Sequence, residues 1–314
     1  MKLSDLIAYR NMLQETSAVD IGKATDLSLQ KISHLVATNA IQLPDFLENI
    51  KKQQRSIQQN FEDFENLLGQ LRAHIDTQIS QRESACLAES YRLYEEEMCH
   101  ETSEYILKRN SPMSPESRIA LQTRLLNYTD WQHAGMIIRP ALESFVFDMV
   151  SLDPLYIVDE NYELLEPLIS KFPEQYQRRL RPYVINERSG EPMMSKIPDS
   201  QFGLCLAYNL FNFRPLEIIK QYLTEIYQKL KPGGVLIMTF NDCDREKAVM
   251  LVESSFACYT PGELVKNLAQ SLNYEVLYSW HDNGPSTWLE LRKPGTLTTF
   301  KGGQSFAKVV AYPN

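Results

Sequence analysis

The residue best placed to do chemistry is an acid at the tip of an apolar run. Pro154-Leu155-Tyr156-Ile157-Val158-Asp159 reads as a buried strand that delivers Asp159 to its carboxyl end. Further on, Leu230-Lys231-Pro232-Gly233-Gly234 reads as a helix end and a tight turn, followed by the apolar strand Val235-Leu236-Ile237-Met238-Thr239-Phe240. In an open α/β sheet a ligand binds beyond the carboxyl ends of the strands, at the switch point of the strand order. The two segments together outline an α/β nucleotide-type fold with its ligand at the strand tips.

Other chemistries find no footing. The chain has no GxxxxGK[ST] phosphate loop, no GxGxxG dinucleotide loop and no GxSxG nucleophile elbow. Its five cysteines are scattered, none in a CxxC pair, and its five histidines show no paired ligand spacing, so no structural zinc is expected. Cys99-His100 is adjacent but lone and reads as ordinary surface. A net charge of −8 argues against a nucleic-acid backbone as main partner. The one dense basic cluster, Arg178-Arg179-Leu180-Arg181, reads as the solvated end of a helix. There is no signal-type apolar region near the start and no apolar stretch of membrane-spanning length. The expectation is a soluble protein of a reducing compartment: cytoplasm, the host's if the chain is viral, or a virion.

The elements that must position Asp159 follow from periodicity. Residues 1–110 read as a helical, coiled-coil arm. Pro44 suits the first turn of a long helix. Leu47, Phe61, Leu68 and Ile75 take one heptad position, with Gln54 as the exception; Ile50, Ile57, Phe64 and Leu71 take the other, with Gln78 closing the series. The face over residues 47–78 is expected to meet a partner helix, from a second copy or another protein. The alternative is an intramolecular hairpin with the stripe at Leu27, Ile32, Leu35 and Val36. Residues 111–130 form a connector whose helix starts at Ser114-Pro115-Glu116.

Over residues 131–293 strands and helices alternate. Expected strands are Gly135–Ile138, Leu155–Val158, Tyr183–Ile185, Phe202–Tyr208, Gly234–Phe240, Tyr274–Trp280 and Thr287–Leu291. Expected helices are Ala141–Val150, Tyr162–Phe172, Leu216–Leu230 and Pro261–Leu272, the last with Thr260 as cap. A turn at Asn283-Gly284 separates the last two strands, and residues 294–314 read as an extended tail. Such alternation gives a parallel sheet covered by helices on both faces, here with one antiparallel strand from the final hairpin.

Five alternating units, a helix and a two-strand finish, with Leu230-Lys231-Pro232-Gly233-Gly234 before strand five, resemble the class I S-adenosylmethionine-dependent methyltransferases. The segments Asp153–Asp159, Phe240-Asn241-Asp242-Cys243-Asp244 and Cys258-Tyr259-Thr260-Pro261-Gly262 are similar to methyltransferase-domain proteins of tailed bacteriophages, marine T4-like ones included. The resemblance implies a Rossmann-like seven-stranded sheet and S-adenosylmethionine as cofactor. It implies ribose binding by Asp159, for which the alternative is a cap on the helix near Tyr162. It implies an adenine-reading position for Asn186, which a turn asparagine explains as well. It places Tyr208 and Asn209, and Asn241 and Asp242, around the methyl-transfer region, with Asp242 or Asp244 as a general base or as a polar turn.

The chain departs from the family at the loop after strand one, where glycines let the backbone approach the cofactor. Here the loop reads Ile138-Arg139-Pro140-Ala141-Leu142-Glu143-Ser144. Arg139 brings a large cation toward a sulfonium ligand, and Glu143 can pair with it or attract the cofactor's amino group. Pro140 and Ala141 still turn the chain into a helix. Two functions follow: a methyltransferase of unknown acceptor, with Asn209, Asn241 and Asp242 as catalytic candidates, or a catalytically inactive methyltransferase-fold protein, such as a phage virion component, that has lost the cofactor and assembles through its coiled coil.

Overall fold

A computed structural model describes residues 2–15, 44–97, 114–139, 143–187, 191–254, 257–281 and 284–297. The chain divides into two compact units, Met1–Ala85 and Cys86–Asn314.

The first unit holds helix α1 (Leu3–Glu15) and most of α2 (Pro44–Glu97). Pro44 opens α2, where its missing N–H costs nothing. Along α2, Leu68, Ile75 and Ile79 are buried, whereas Ile57, Phe64 and Leu71 are 42–45% exposed. Leu68 and Ile75 belong to one heptad row, in which Phe61 is partly buried, and Ile57, Phe64 and Leu71 to the other, which faces solvent; Ile79 belongs to neither. The side chains of Leu47, Ile50 and Gln54 lie outside the described ones, as do the stripe from Leu27 to Val36, Cys99 and His100.

The second unit takes the last turns of α2, from Cys86, and then builds the sheet. Helix α3 (Pro115–Tyr128) starts as expected: Ser114 Oγ accepts the Ser117 N–H at 3.2 Å, and Pro115 sits in the first turn. The sheet strands are β1 (Ala134–Ile138), β2 (Leu155–Asp159), β3 (Leu180–Val184), β4 (Phe202–Ala207), β5 (Leu230–Asn241), β6 (Glu275–His281) and β7 (Ser286–Arg292). Between them run α4 (Glu143–Asp148), α5 (Tyr162–Ser170), α6 (Glu174–Gln177), α7 (Leu216–Lys229), α8 (Glu246–Ser254) and α9 (Gly262–Ser271). The order is β3-β2-β1-β4-β5-β7-β6, with β1 to β5 parallel and β7 antiparallel to both neighbours.

β1, β2 and β4 are buried on both faces, which explains their unbroken apolar sequences. Alternate residues feed two core layers. Met136, Ile138 and Val158 meet Ile219, Leu223 and Ile226 of α7 on one side; Ile137 and Ile157 meet Leu121 and Leu125 of α3 and Phe145 of α4 on the other. Glu290 of β7 lies fully buried in the second layer, held by the Arg124 guanidinium and by the Tyr128 hydroxyl at 2.9 Å.

Several boundaries differ from the sequence reading. β3 begins at Leu180, through Pro182, which a strand tolerates here because β3 is the sheet's edge. β5 begins at Leu230, but its pairing with β4 breaks between Leu230 and Val235, so the expected tight turn at Pro232-Gly233-Gly234 is an irregular excursion within the strand. Gly233 has φ +80°, and a Cβ on it would lie 2.4 Å from the Leu297 nitrogen; its N–H donates to the Lys293 carbonyl at 2.8 Å, which extends the pairing of β5 with the segment after β7. α8 was not foreseen, because Asp244-Arg245-Glu246-Lys247 hides its short apolar face at Ala248 and Val249. Thr260 does not cap α9. Asp244 Oδ2 accepts the Glu263 N–H at 2.9 Å in its place, and the Thr260 hydroxyl donates to the Cys258 carbonyl. Asn283 lies outside the described residues, as do 298–314 of the tail.

Candidate functional site

The loops after β1, β2, β3 and β4 converge on a buried cluster of charges. Arg139, directly after β1, has φ +50°, a left-handed backbone that costs a non-glycine residue about 1 kcal/mol. Its N–H donates to the Val158 carbonyl at 2.7 Å. Its side chain is only 10% exposed; it forms an ion pair with Glu160, just past β2, and lies 3.8 Å from Glu187, past β3. Glu160 also accepts the Glu187 backbone N–H at 2.9 Å.

Glu187 is the hub. Arg214 Nε, from the segment after β4, sits 2.9 and 3.0 Å from its two oxygens. The Tyr222 hydroxyl of α7 donates to one oxygen, and the Tyr94 hydroxyl of α2 donates to the other at 2.6 Å. Burial alone would raise its pKa, but Arg214 and Arg139, with the two tyrosine hydroxyls, bring it down to about 2. Burial disfavours the charged form of Arg139, yet Glu187, Tyr222 and Glu160 keep it firmly protonated. Burial and the neighbouring Glu187 push Glu160 up, against the pull of Arg139. Two arginines and two glutamates thus cancel at the strand tips.

Of the residues nominated from sequence, Arg139 belongs to this cluster and Asp159 adjoins it. Asp159 ends β2 as expected and is 3% exposed. Its Oδ1 accepts the Asn161 N–H at 3.0 Å, and Asn161, not Asp159, is the cap of α5, accepting the Glu163 N–H at 2.9 Å. Asn186 is exposed beyond β3. Tyr208 packs between Phe145, with ring centroids 4.8 Å apart, and Trp288, at 5.5 Å. Asn209 is left-handed at φ +54°, its N–H on Thr239 Oγ1 at 2.7 Å.

Asn241 and Asp242 lie apart from that cluster and hold the chain together at the β5 tip. The Asn241 amide donates to the Ala248 and Cys258 carbonyls, both at 3.3 Å. Asp242 accepts the Thr287 hydroxyl at 2.7 Å and the Asp244 N–H at 3.2 Å. A Cβ on Gly262 would lie 2.4 Å from its Oδ1. Thr287 has spent its one proton on Asp242, so the 2.8 Å contact with His281 Nδ1 requires that nitrogen to donate. Pro140 lies outside the described residues, as does the side chain of Glu143, which opens α4.

Tyr94, Glu160, Glu187, Arg214 and Tyr222 were not foreseen. Glu160 and Glu187 each stand one place after a nominated residue, Asp159 and Asn186, but nothing local marks them as partners of Arg139. A groove of about 730 Å³ opens beside the cluster, walled by Glu187, Glu191, Glu217, Lys220 and Gln221 among others. None of the nominated residues lines it.

S-adenosylmethionine needs bare backbone at the β1 loop and unspent polar groups at the next strand tips. Here a long side chain stands at the first of those positions, and Glu160 and Glu187 are held by arginines, while Asp159 accepts the Asn161 N–H. Arg139 and the two paired glutamates do not fit the cofactor. Among the described residues, no group of three His, Cys, Asp or Glu is arranged to hold a metal, and no helix is long and apolar enough to cross a membrane.

A seven-stranded mixed sheet in this order, flanked by helices, is the Rossmann-like fold of methyltransferases. Among solved structures the chain is similar to an O-methyltransferase family protein from Burkholderia thailandensis (11% identity, TM-score 0.47, covering 70% of this chain and 71% of that one). It is also similar to the N-methyltransferase NodS from Bradyrhizobium japonicum, solved with S-adenosyl-L-homocysteine (13%, TM-score 0.43, 65% and 98%), and to a possible exported protein from Bordetella parapertussis (13%, TM-score 0.45, 70% and 88%). No protein-family model and no curated protein matches the sequence.

Proposed function

We propose that this chain is a non-catalytic methyltransferase-fold protein that works by assembly. The observation that carries the reading is Arg139. A left-handed arginine stands where the fold's cofactor loop needs glycine, and its guanidinium closes onto Glu160 and Glu187. The sheet is then a scaffold, and the outward heptad row of α2, Ile57, Phe64 and Leu71, is a docking face for a helix of a second copy or of another protein. A phage particle is the kind of assembly to which the sequence resemblance points.

Calorimetric titration with S-adenosylmethionine tests the first half. The expected result is no heat from the wild-type protein. A saturable signal that Asp159→Ala abolishes would restore a cofactor-dependent transferase. Sedimentation tests the second half: the wild type is expected to self-associate or to travel with a partner, and a monomer at high concentration with no partner recovered overturns it.

A further inference from the structure

The last described residues of α2, 86–97, belong to the same unit as the sheet. Only two of their described side chains are buried, Ser90 and Tyr94, at 3% and 5% exposure, and both carry a hydroxyl; Cys86, Leu87 and Leu93 are partly buried. They lie one helical turn apart on one face. Ser90 Oγ accepts the Tyr259 N–H at 2.7 Å, and its carbonyl receives the Cys258 thiol at 4.0 Å. Tyr94 donates to Glu187 at 2.6 Å, with the Arg214 guanidinium 5.5 Å from its ring.

These contacts meet where three loops converge. Glu187 follows β3, Arg214 follows β4, and residues 257–259 return toward the tip of β5, where Thr260 bridges Asp242. The Cys258 N–H donates to the Asn212 carbonyl at 3.0 Å, tying the last two together. A single turn of helix therefore pins all three loops at the carboxyl end of the sheet. It does so through hydrogen bonds, while Glu89, Tyr91, Arg92, Glu95 and Glu96 around it face solvent. Apart from the Tyr94 ring, the apolar side chains of this segment, Leu87 and Leu93, are only partly buried, so it opens more cheaply than a sheet whose central strands are buried on both faces.

We propose that the Ser90–Tyr94 turn is a strap that closes over the converged loops and lifts as a unit while the sheet stays folded. Lifting it removes one donor from Glu187, leaves the Tyr259 N–H to water and uncovers Cys258. The strap lies on the helix that carries the outward heptad row, so the docking element and the cover of the strand tips are one stretch of backbone. This inference can fail separately from the cofactor reading, since its test reads the exposure of Cys258 and not the binding of S-adenosylmethionine.

Cysteine labelling tests it. Cys258 lies under the strap, whereas Cys205 is fully buried in β4 and reports on the sheet. Wild type and the double variant Ser90→Ala/Tyr94→Phe are treated with iodoacetamide, and each cysteine is read by peptide mass spectrometry. Loss of two buried hydrogen bonds, one of them to a charged group, is expected to speed labelling of Cys258 at least tenfold, with Cys205 unchanged. Cys258 labelling at the wild-type rate overturns the proposal, and so does Cys205 accelerating in step with Cys258. Should the double variant fail to fold, hydrogen exchange on the wild type replaces it. Peptides covering 86–97 and 257–260 are expected to exchange well before those of β4 and β5; exchange of all of them together overturns the strap.

Discussion

Replacing Glu187 by glutamine removes one negative charge from the buried cluster with almost no change of shape. Two guanidinium groups, from Arg139 and Arg214, then face each other's field with only Glu160 between them. The size of the penalty follows from the carboxyl group itself. Its pKa falls from an ordinary 4.5 to about 2 in the folded chain. Each unit is worth about 1.36 kcal/mol, so the folded surroundings favour the charged form by roughly 3 kcal/mol. That agrees with the roughly 3–5 kcal/mol typical of removing one partner from a buried ion pair. The sign with pH is fixed by the direction of the shift. A carboxyl group whose pKa is depressed on folding stabilises fully above its unfolded value and loses that contribution as pH falls from about 4.5 toward 2. Urea denaturation of wild type and Glu187→Gln is therefore expected to show a gap of about 3 kcal/mol at pH 7, narrowing steadily below pH about 4.5. A gap under about 0.5 kcal/mol at pH 7, the range of ordinary surface substitutions, would mean that Glu187 is not a buried counter-ion of the two arginines. A gap that stayed constant down to pH about 3 would do so as well.

Three further outcomes follow. Arg124→Ala strands the buried Glu290 carboxylate beside Tyr128 and should cost about 3 kcal/mol in thermal denaturation; a change in the surface range would count against an ion pair there. Gly262→Ala forces a methyl group against Asp242 Oδ1 and should destabilise by about 1–3 kcal/mol, read by urea midpoint. Ile57→Lys with Leu71→Lys should leave the helical circular dichroism intact while abolishing self-association or partner recovery in sedimentation; unchanged assembly would remove the docking face from that row.

Much of the fold was legible because its central strands are buried on both faces. Runs such as Met136-Ile137-Ile138 and Leu204-Cys205-Leu206 leave no other economical reading once helices alternate with them. β3 was harder: its exposed Arg181 and Pro182 carry an edge position, which only the strand order reveals. The candidate site was legible only at its edges. Asp159 and Arg139 stand out because an acid ends an apolar strand and a cation replaces glycine. Their neighbours did not, because Tyr94, Glu160, Glu187, Arg214 and Tyr222 come from five separate elements or loops. No spacing rule links a tyrosine on an N-terminal helix to a glutamate beyond β3. Asn241 and Asp242 stood out as polar residues at a strand tip, but a tip must also close its own turn, and their bonds to Ala248, Cys258, Asp244 and Thr287 do so.

On the proposed reading the chain's own ion pairs fill the cradle where the methyltransferase fold would seat its cofactor. A crystal structure grown with millimolar S-adenosylmethionine decides this. The expected map has Arg139 against Glu160 and Glu187, Arg214 on Glu187, and no adenosyl density at the strand tips. Arg139 swung clear, with a ribose on the Asp159 carboxylate, would contradict it.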